Sequence, residues 1–403
     1  MGTETIEVSG HIVDSLLLAK ILDAIVDAGC DYEIVHVRIG KTTVDTSEAR
    51  LRVSGDDDVL GELLDDLQVH GANRVVQNDA LLEPADRDGV LPAGFYSTTN
   101  LATDVRVDGR WIPVENPEMD CGLVVRAGRA CTVPMHRVTA GDPVVVGSDG
   151  VRVHAPSPPR DTAVFEFMTS EVSSEKPKRL LVAQVADRLR AARERDQRVL
   201  VVAGPAVVHT GGATDLARLI DAGWVDVLFA GNGFAAHDIE SNVLGTSLGV
   251  SVAEGVPTEG GHANHIRVIN EVRRHGSIAA AVEAGYVTGG VMHACVRHGV
   301  PFVLGGSIRD DGPLPDVITD VTAAADAMRA HVEGVGVALM LASTLHAIAT
   351  GNCLPAGVET FCVDINQAVV TKLADRGSHQ ALGIVTDVGP FVRQLADHLL
   401  ESA

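Results

Sequence analysis

Five short, almost uninterrupted apolar runs occur in the second half of this chain, and each ends in glycine or aspartate. A strand covered by helices on both faces reads as a continuous apolar run, whereas a half-exposed strand alternates. Helical stretches separate the runs, so the sequence predicts a parallel α/β sheet from residue 180 onward. The runs are RVLVVAG (198–204), VDVLFAG (225–231), VPFVLGG (300–306), VETFCVD (358–364) and LGIVTD (382–387).

The residues directly after these runs are the first place to look for a ligand site, because open parallel sheets bind ligands at the carboxyl ends of their strands. Glycine turns follow three runs, and a glycine lets backbone N–H groups approach a phosphate closely. Asp364 and Asp387 end the other two, where a carboxylate can accept the hydroxyls of a ribose. The alternative is structural, since Asp387 could simply cap a helix that has Pro390 in its first turn.

One glycine turn matches the dinucleotide-binding pattern G-x-G-x-x-G/A. Gly231, Asn232 and Gly233 follow an apolar run and precede Phe-Ala-Ala. In the usual arrangement this turn follows the first strand of the sheet. Here it follows the second predicted strand, which indicates a cofactor turn in a sheet of different order.

The first part of the chain has a different pattern. Residues 1–79 read as strand, helix, two strands, helix and strand, the order of a ferredoxin-like α+β domain. Residues 80–156 are short extended pieces punctuated by glycine and proline, which predict a small β-rich module. Residues 157–179 read as a linker, and residues 180–403 as a Rossmann-like, NAD-binding α/β domain.

Charge and targeting signals narrow the function classes. The net charge of −22 disfavours nucleic acid as a partner, because an acidic surface repels phosphate backbones. No apolar run is long enough to span a bilayer, and the first thirty residues lack the basic start of a signal peptide. The six cysteines are scattered along the chain, which fits a reducing compartment. Together, these features predict a cytoplasmic protein. The acidic, lysine-poor composition favours a high-salt host; an ordinary acidic enzyme is the alternative.

Histidines form two noticeable groups. His262 and His265 follow two glycines at the predicted start of a helix, where imidazole is held neutral and can serve acid–base work; solvated, capping histidines are the alternative. His293, Cys295 and His298 invite a zinc interpretation, but on a helix they do not share one face and no fourth ligand is apparent. We therefore predict no metal site.

Longer strings carry a more specific signal. The segments GGHANHIRVINEVRRHGSIAAAVEAG (260–285), VPFVLGGSIRDDGPLPDVITD (300–320) and residues 339–388 resemble the archaeal-type ornithine cyclodeaminases. That family also supplies the C-terminal part of cyanobacterial bifunctional arginine dihydrolase–ornithine cyclodeaminases. Residues 9–34 resemble the region named after lysine–ketoglutarate reductase/saccharopine dehydrogenase (LOR/SDH). The α/β part is distantly similar to the NAD-binding sheet of deoxyhypusine synthases, which implies a homo-oligomer.

The resemblance implies conversion of L-ornithine to L-proline and ammonia with tightly held NAD⁺. Hydride leaves Cα to form an imine, the δ-amine attacks, ammonia departs and the hydride returns. The implied cofactor contacts are Asn232, Gly233, Asp311, Ser343, Thr344, Leu345, His346, Asp364, Asp387 and Val388.

The catalytic groups follow less directly from the sequence. Asp120 and Cys121 in ENPEMDCG are candidates for proton transfer or δ-ammonium recognition, and a loop acid and a buried thiol are the alternatives. Arg309 could hold the substrate carboxylate or pair with its neighbour Asp310. Two rival functions remain: an NAD-dependent amino-acid dehydrogenase on a saccharopine-like substrate, and a non-catalytic sensor of an amino acid and a nucleotide.

Overall fold

The chain divides into two compact units in the computed structural model: Met1–Thr169 with Leu354–Gly357, and Ser170–Cys353 with Val358–Ala403. None of the helices among the described residues is long and apolar enough to cross a membrane. The structure describes residues 2–13, 16–41, 45–68, 70–75, 78–154, 172–173, 178–247, 250–251, 263–310, 312–375 and 381–401.

The first unit begins with the predicted strand–helix–strand–strand–helix–strand order. Its sheet has the order β2-β3-β1-β4 with every neighbouring pair antiparallel, which is the ferredoxin-like arrangement. One face buries Ile6, Leu51 and Val53 against the two helices. The elements are β1 (Gly2–Gly10), α1 (Leu17–Asp27), β2 (Asp31–Arg38), β3 (Ser47–Gly55), α2 (Asp57–Gln68) and β4 (Asn73–Arg74).

The β-rich module completes the first unit. Seven strands pair in the order β11-β6-β7-β9-β8-β10-β5, and only β7 with β9 is parallel among the pairs described. Gln68 of α2 donates to the carbonyl oxygens of Ser148 and Val151, so the module is hydrogen-bonded to the ferredoxin-like part. The strands are β5 (Leu81–Pro84), β6 (Thr103–Val107), β7 (Arg110–Glu115), β8 (Gly122–Arg126), β9 (Arg129–Val133), β10 (Pro143–Val146) and β11 (Val151–Val153).

The second unit is the predicted parallel α/β sheet. Most of the predicted linker lies outside the described residues, namely 157–171 and 174–177; Val172–Ser173 forms β12 and α3 begins at Lys178. The strands of the sheet are β12, β13 (Arg198–Ala203), β14 (Val227–Gly231), β17 (Phe302–Gly305), β18 (Val317–Ile318), β19 (Val335–Leu341), β20 (Glu359–Asp364) and β21 (Ala381–Val385). A separate hairpin pairs β15 (Thr246–Ser247) with β16 (Val250–Ser251).

Helices cover this sheet. They are α3 (Lys178–Glu194), α4 (Ala206–His209), α5 (Ala213–Asp221), α6 (Asn232–Leu244), α7 (Asn264–His275), α8 (Ile278–Glu283), α9 (Gly290–His298), α10 (Val321–Arg329), α11 (Leu345–Cys353), α12 (Gln367–Asp375) and α13 (Val388–Leu400).

The order of the sheet corrects one prediction. It runs β12-β21-β20-β19-β13-β14-β17-β18, and every described pair is parallel. Numbered along the chain, the six strands apart from the edge strands β12 and β18 lie in the order 3-2-1-4-5-6, the standard order of a dinucleotide-binding fold. The expectation of a different order was therefore wrong, although the glycine turn does follow the second of these strands.

The centre of the sheet is a close contact between two strand ends. Gly204 follows β13 and donates its N–H to the Leu341 carbonyl at 2.8 Å. A Cβ at position 204 would overlap the carbonyl oxygen of Ala342. The residue Ala342 has a left-handed backbone conformation, with a φ of 48°. Only glycine therefore fits at the end of β13.

Helix α6 is surrounded by protein along most of its length, so its polar side chains need internal partners. Asp238 is fully buried and accepts from the N–H groups of Val291 (3.0 Å) and Met292 (2.9 Å) at the start of α9. This contact joins the two helices across the core.

Replacing Gly204 with alanine tests the strand-end contact. We expect Gly204→Ala to lower the free energy of unfolding by about 1–3 kcal/mol, because the added methyl group has no space beside Ala342. Gly61→Ala is the matched control: the Cβ meets nothing within 4 Å in helix α2, and the change should stabilise slightly, by ~0.5–1 kcal/mol. Urea unfolding of both variants measures the difference, and equal stabilities would contradict the contact.

Candidate active site

The carboxyl ends of the parallel strands meet along one edge of the second unit. Gly231 pairs with Gly305 at the ends of β14 and β17, and Asp364 pairs with Val385 at the ends of β20 and β21. The turns that follow these strands are therefore neighbours. The predicted cofactor residues at this edge are Asn232, Gly233, Ser343, Thr344, Leu345, His346, Asp364, Asp387 and Val388.

The His346 imidazole lies against the ends of two strands. A Cβ on Gly231 would stand 3.0 Å from its Cε1, and a Cβ on Gly305 would stand 3.0 Å from its Nε2. Glycine at both positions thus makes room for the ring. The beginning of α11 is thereby brought next to the glycine turn, a proximity that the sequence alone did not indicate.

The glycine turn leads straight into α6, and its asparagine has a structural partner. Asn232 is buried, and its Oδ1 accepts from the backbone N–H of Leu314 at 3.0 Å. Gly231 is the N-cap residue, and no described side chain caps the helix. Among the described residues, a Cβ on Gly233 would come within 4 Å only of Pro205 Cγ, at 3.5 Å. The backbone at Gly233 is therefore the more approachable part of the turn.

The two acids at strand ends hold their own turns. Asp364 is buried and accepts from the Asn366 N–H at 2.8 Å. Asp387 is exposed and caps α13 by accepting from the Gly389 N–H at 3.1 Å. Each of these hydrogen bonds uses only the Oδ1 atom of the carboxylate. Asp387 therefore caps a helix, as the alternative interpretation expected, while its Oδ2 atom forms no hydrogen bond with a described residue. Val388, the first residue of α13, is buried.

Exposed apolar side chains follow three of the strands. Leu345 after β19 is 76% exposed, Ile365 after β20 is 74% exposed, and Ile308 after β17 is fully exposed. Ser343 is buried while Thr344 is exposed. The edge thus offers both polar groups and uncovered apolar surface.

Arg309 belongs to an exposed loop after β17. Its backbone N–H donates to Ser307 Oγ at 3.2 Å, whereas Asp310 accepts from the Ser307 N–H at 2.8 Å. The alternative pairing of Arg309 with Asp310 is therefore not observed. Asp311, which follows, lies outside the described residues, as does the predicted catalytic residue His262.

Asp120 and Cys121 belong to the first unit, directly before β8. Asp120 is exposed and has a left-handed φ of 61°. Cys121 is buried, its N–H donates to Thr98 Oγ1 at 3.1 Å, and its Sγ lies 3.5 Å from the Met119 carbonyl oxygen. The structure thus describes an ordered turn here, and the catalytic role of both residues stays a prediction.

The second unit contains a partly buried polar group of which the sequence singled out only His265. We call His209, His237, His265 and Glu240 the histidine cluster. The ring of His237 lies 5.0 Å from that of His209 and 6.0 Å from that of His265, measured between centroids. His237 Nδ1 is 2.8 Å from Glu240 Oε2. The motif HDIE contains the signal, a histidine and an acid three residues apart in a helix that follows the glycine turn.

Burial lowers the pKa of two imidazoles of the second unit, those of His346 and His209. Burial lowers the pKa of His346, and the nearby Asp310 carboxylate opposes that shift. The pKa of His209 is lowered by burial of its ring and by the neighbouring His237, with Glu240 acting in the opposite direction. Both rings therefore favour the neutral form near pH 7. Among the described residues, no group of three or more His, Cys, Asp or Glu is arranged to hold a metal ion.

Comparison with known proteins places the chain in a family. Family models match three successive parts: the LOR/SDH bifunctional enzyme conserved region (residues 3–101), and the first region (102–182) and Rossmann fold (183–395) of the C-terminal part of ArgZ-like arginine dihydrolases. The ornithine cyclodeaminase of Methanopyrus kandleri is 50% identical over 400 residues, covering 98% of this chain and 97% of that relative.

The chain belongs to the archaeal-type ornithine cyclodeaminase family. Cyanobacterial relatives carry the same family region within longer proteins. The apo structure of the cyanobacterial arginine dihydrolase ArgZ is 36% identical with a TM-score of 0.85, covering 100% of this chain and 58% of that one.

A liganded relative is also known. The bifunctional arginine dihydrolase/ornithine cyclodeaminase AgrE of Nostoc sp. has been solved as a ternary complex with ornithine and NAD⁺. It is 44% identical to this chain with a TM-score of 0.55, and the match covers 100% of this chain and 58% of AgrE. The ornithine cyclodeaminase family thus includes a member whose complex contains both molecules.

The half-buried imidazole of His346 predicts a pH dependence for this member of the ornithine cyclodeaminase family. Its lowered pKa means that the unfolded chain binds more protons than the folded protein as pH falls below the ordinary histidine value of about 6.5. Folding stability should therefore fall with decreasing pH in that range. In His346→Gln, which cannot titrate, the fall should be shallower. Chemical unfolding from pH 7.5 to 5.5 measures this, and parallel curves would contradict it.

Proposed function

We propose that this chain converts L-ornithine to L-proline and ammonia, using NAD⁺ that is regenerated in every turnover. The observation that carries the proposal is the meeting of the family-matched cofactor residues at one edge of a standard dinucleotide-binding sheet. Full-length similarity to relatives named ornithine cyclodeaminase, and the AgrE complex with ornithine and NAD⁺, support the substrate and the cofactor.

The glycine turn fits a pyrophosphate. The first N–H groups of α6 point out of the helix start, no described side chain caps them, and the N-cap residue is a glycine. Since Asn232 Oδ1 is engaged by Leu314, we assign the close approach to the backbone of Gly233. The helix dipole adds to the attraction for a negative group at this position.

The neighbouring turns fit the rest of a dinucleotide. Asp364 and Asp387 supply carboxylates that can accept ribose hydroxyls, while Ser343 and Thr344 add hydroxyl groups from the end of β19. Exposed Leu345 and Ile365 offer apolar surface for a flat ring. When bound, NAD⁺ supplies a hydride acceptor that converts the α-amine into an imine and then returns the hydride to the ring carbon.

The protein must move protons while the net reaction consumes none. Ornithine enters with two ammonium groups, and each must lose one proton: the α-nitrogen before it can form an imine, and the δ-nitrogen before it can attack. The attack forms a bond between Cα and the δ-nitrogen. The bond between Cα and the α-nitrogen then breaks, and ammonia departs. Both protons return, one to the departing ammonia and one to the proline nitrogen. A proton acceptor that can also donate near neutral pH meets this need.

Three residues are candidates for binding the substrate itself. We propose Arg309 as the partner of the substrate carboxylate, because its exposed guanidinium forms no ion pair with the described residues and its fork matches a carboxylate. Asp120 and Cys121 remain candidates for binding the δ-ammonium or exchanging its proton.

The first test is a turnover measurement on the full chain in molar KCl with L-ornithine and NAD⁺. We expect proline and ammonia in equal amounts with no net change in the NADH absorbance, because the hydride returns to the product. Accumulating NADH would instead identify the amino-acid dehydrogenase. Ligand binding without any product would identify the sensor, so the three functions give three distinct results.

The glycine turn can be tested by Gly233→Ala. The new methyl group would make only an ordinary 3.5 Å contact with Pro205, so the fold should be retained. It would stand beside the backbone that a pyrophosphate must approach, and we expect NAD⁺ to bind at least about tenfold more weakly, or ~1.4 kcal/mol. Gly61→Ala in α2 is the control and should keep wild-type affinity in calorimetry. Unchanged binding by Gly233→Ala would remove the turn from the cofactor site.

A further inference from the structure

Three residues of α6 form a line that starts at the glycine turn. Gly233, His237 and Glu240 are spaced at i, i+4 and i+7, so they share one face of the helix. Side chains of a helix lean toward its N-terminus, and His237 therefore leans back toward the turn. Pro205 faces the same side at Gly233, and α4, which Pro205 precedes, ends at His209.

Hydrogen bonds around Glu240 determine how His237 is protonated. Glu240 is fully buried; Thr246 Oγ1 donates to its Oε1 at 2.8 Å, and Asn264 Nδ2 donates to Thr246 Oγ1 at 2.9 Å. This chain of donors points at the carboxylate, which is an acceptor when ionised. His237 Nδ1 must then carry the proton that it shares with Glu240 Oε2. With the proton on Nδ1, the lone pair of the ring lies on Nε2, the arrangement that a general base requires.

Exposure within the histidine cluster increases in steps. Glu240 is fully buried, His237 is nearly so, His265 is intermediate and His209 is exposed. His209 Nδ1 is 2.7 Å from Ser247 Oγ, which orients its ring. The histidine cluster therefore reaches from the interior to solvent, with neighbouring rings in contact.

Among the described residues, two other charged groups on or near α6 have partners outside the histidine cluster. Asp238 points to the start of α9, and Arg267 of α7 donates to Asn264 Oδ1 at 3.2 Å. The lowered pKa of His209 keeps that ring able to accept a proton near pH 7. Glu240 is thus the carboxylate hydrogen-bonded to His237.

We propose that the histidine cluster is the proton-transfer site of the reaction: His237 takes a proton from an ammonium group of the substrate, Glu240 positions it, and His209 exchanges the proton with solvent. The proposal rests on the proposed function. When the α- or the δ-ammonium group loses its proton, an N–H bond of the substrate breaks and an Nε2–H bond forms on His237. The positive charge then lies on the imidazolium beside Glu240. The imidazolium passes each of the two protons to solvent through His209, and protons that come back by the same route go to ammonia and to the proline nitrogen, so the cluster ends each turnover unchanged.

Two substitutions test the base and its positioning residue. His237→Gln removes the titrating nitrogen, and Glu240→Gln keeps the shape but can donate an amide N–H to His237 Nδ1. We expect both to lower kcat by ~10²-fold or more, the usual contribution of general acid–base catalysis, with the Kd for NAD⁺ unchanged. His298→Gln is the matched control, since His298 pairs with Asp221 at 2.9 Å outside the cluster and its loss should leave kcat unchanged.

Two further readouts separate proton transfer from a structural role. In ¹⁵N NMR, neutral His237 should carry its proton on Nδ1 in the wild type and on Nε2 in Glu240→Gln. His209→Ala should slow turnover, and added imidazole should restore it, because a small base can replace an exposed proton shuttle. If these residues acted only on the structure, the proton of His237 would not move from Nδ1 to Nε2 in Glu240→Gln, and imidazole would not restore the turnover of His209→Ala.

The outcomes distinguish this proposal from the proposed function. If the wild type makes proline and both His237→Gln and Glu240→Gln retain wild-type kcat, the cluster is not the proton-transfer site. If the wild type makes no proline, the proposed function fails. The histidine cluster is then tested separately, by an NMR titration with L-ornithine. Shifts of the His237 and His209 signals on adding L-ornithine to the NAD⁺-loaded protein would then support an amine site there, and unshifted signals would overturn it.

Discussion

Parallel pairing of β13 with β14 on one side and β19 on the other determines where the candidate site can form. It places the ends of these strands side by side, and the Gly204–Ala342 contact packs the first and fourth strands of the standard order closely together. In such sheets the ligand crevice lies at this switch point. Backbone occupies that position here, and the glycine turn of the proposed cofactor site follows the neighbouring strand, β14.

The burial of α6 links stability to chemistry. A helix enclosed by protein cannot leave polar groups unpaired, and a buried carboxylate without partners is destabilising by several kcal/mol. Asp238 and Glu240 both satisfy this requirement, the first through the N-terminus of α9 and the second through His237 and Thr246. The hydrogen bonds that satisfy Glu240 in the core also hold the His237 imidazole against it.

Much of the architecture could be predicted from periodicity, because buried strands are continuous apolar runs. The pattern missed the two-residue edge strands β12 and β18 and the central strand β19. The apolar run of β19 continues into α11, and its end turns at Ala342, without the terminal glycine or aspartate of the other runs. Sheet order was mispredicted since strand neighbours depend on crossovers between distant segments. The sequence singled out His265 but missed His209, His237 and Glu240, because HDIE is equally compatible with a solvated helix face and only tertiary burial distinguishes the two. The oligomeric state stays a prediction.

Ile308, Leu345 and Ile365 leave apolar side chains in water at the sheet edge. Salts that strengthen hydrophobic association favour covering such surface, while the same ions screen exposed charge pairs. A ligand that packs on these side chains is therefore retained better as salt concentration rises, whereas one attracted by surface charge alone is released. For a chain with a net charge of −22, a salt that strengthens hydrophobic association would thus act at the proposed cofactor site as well as on the protein as a whole.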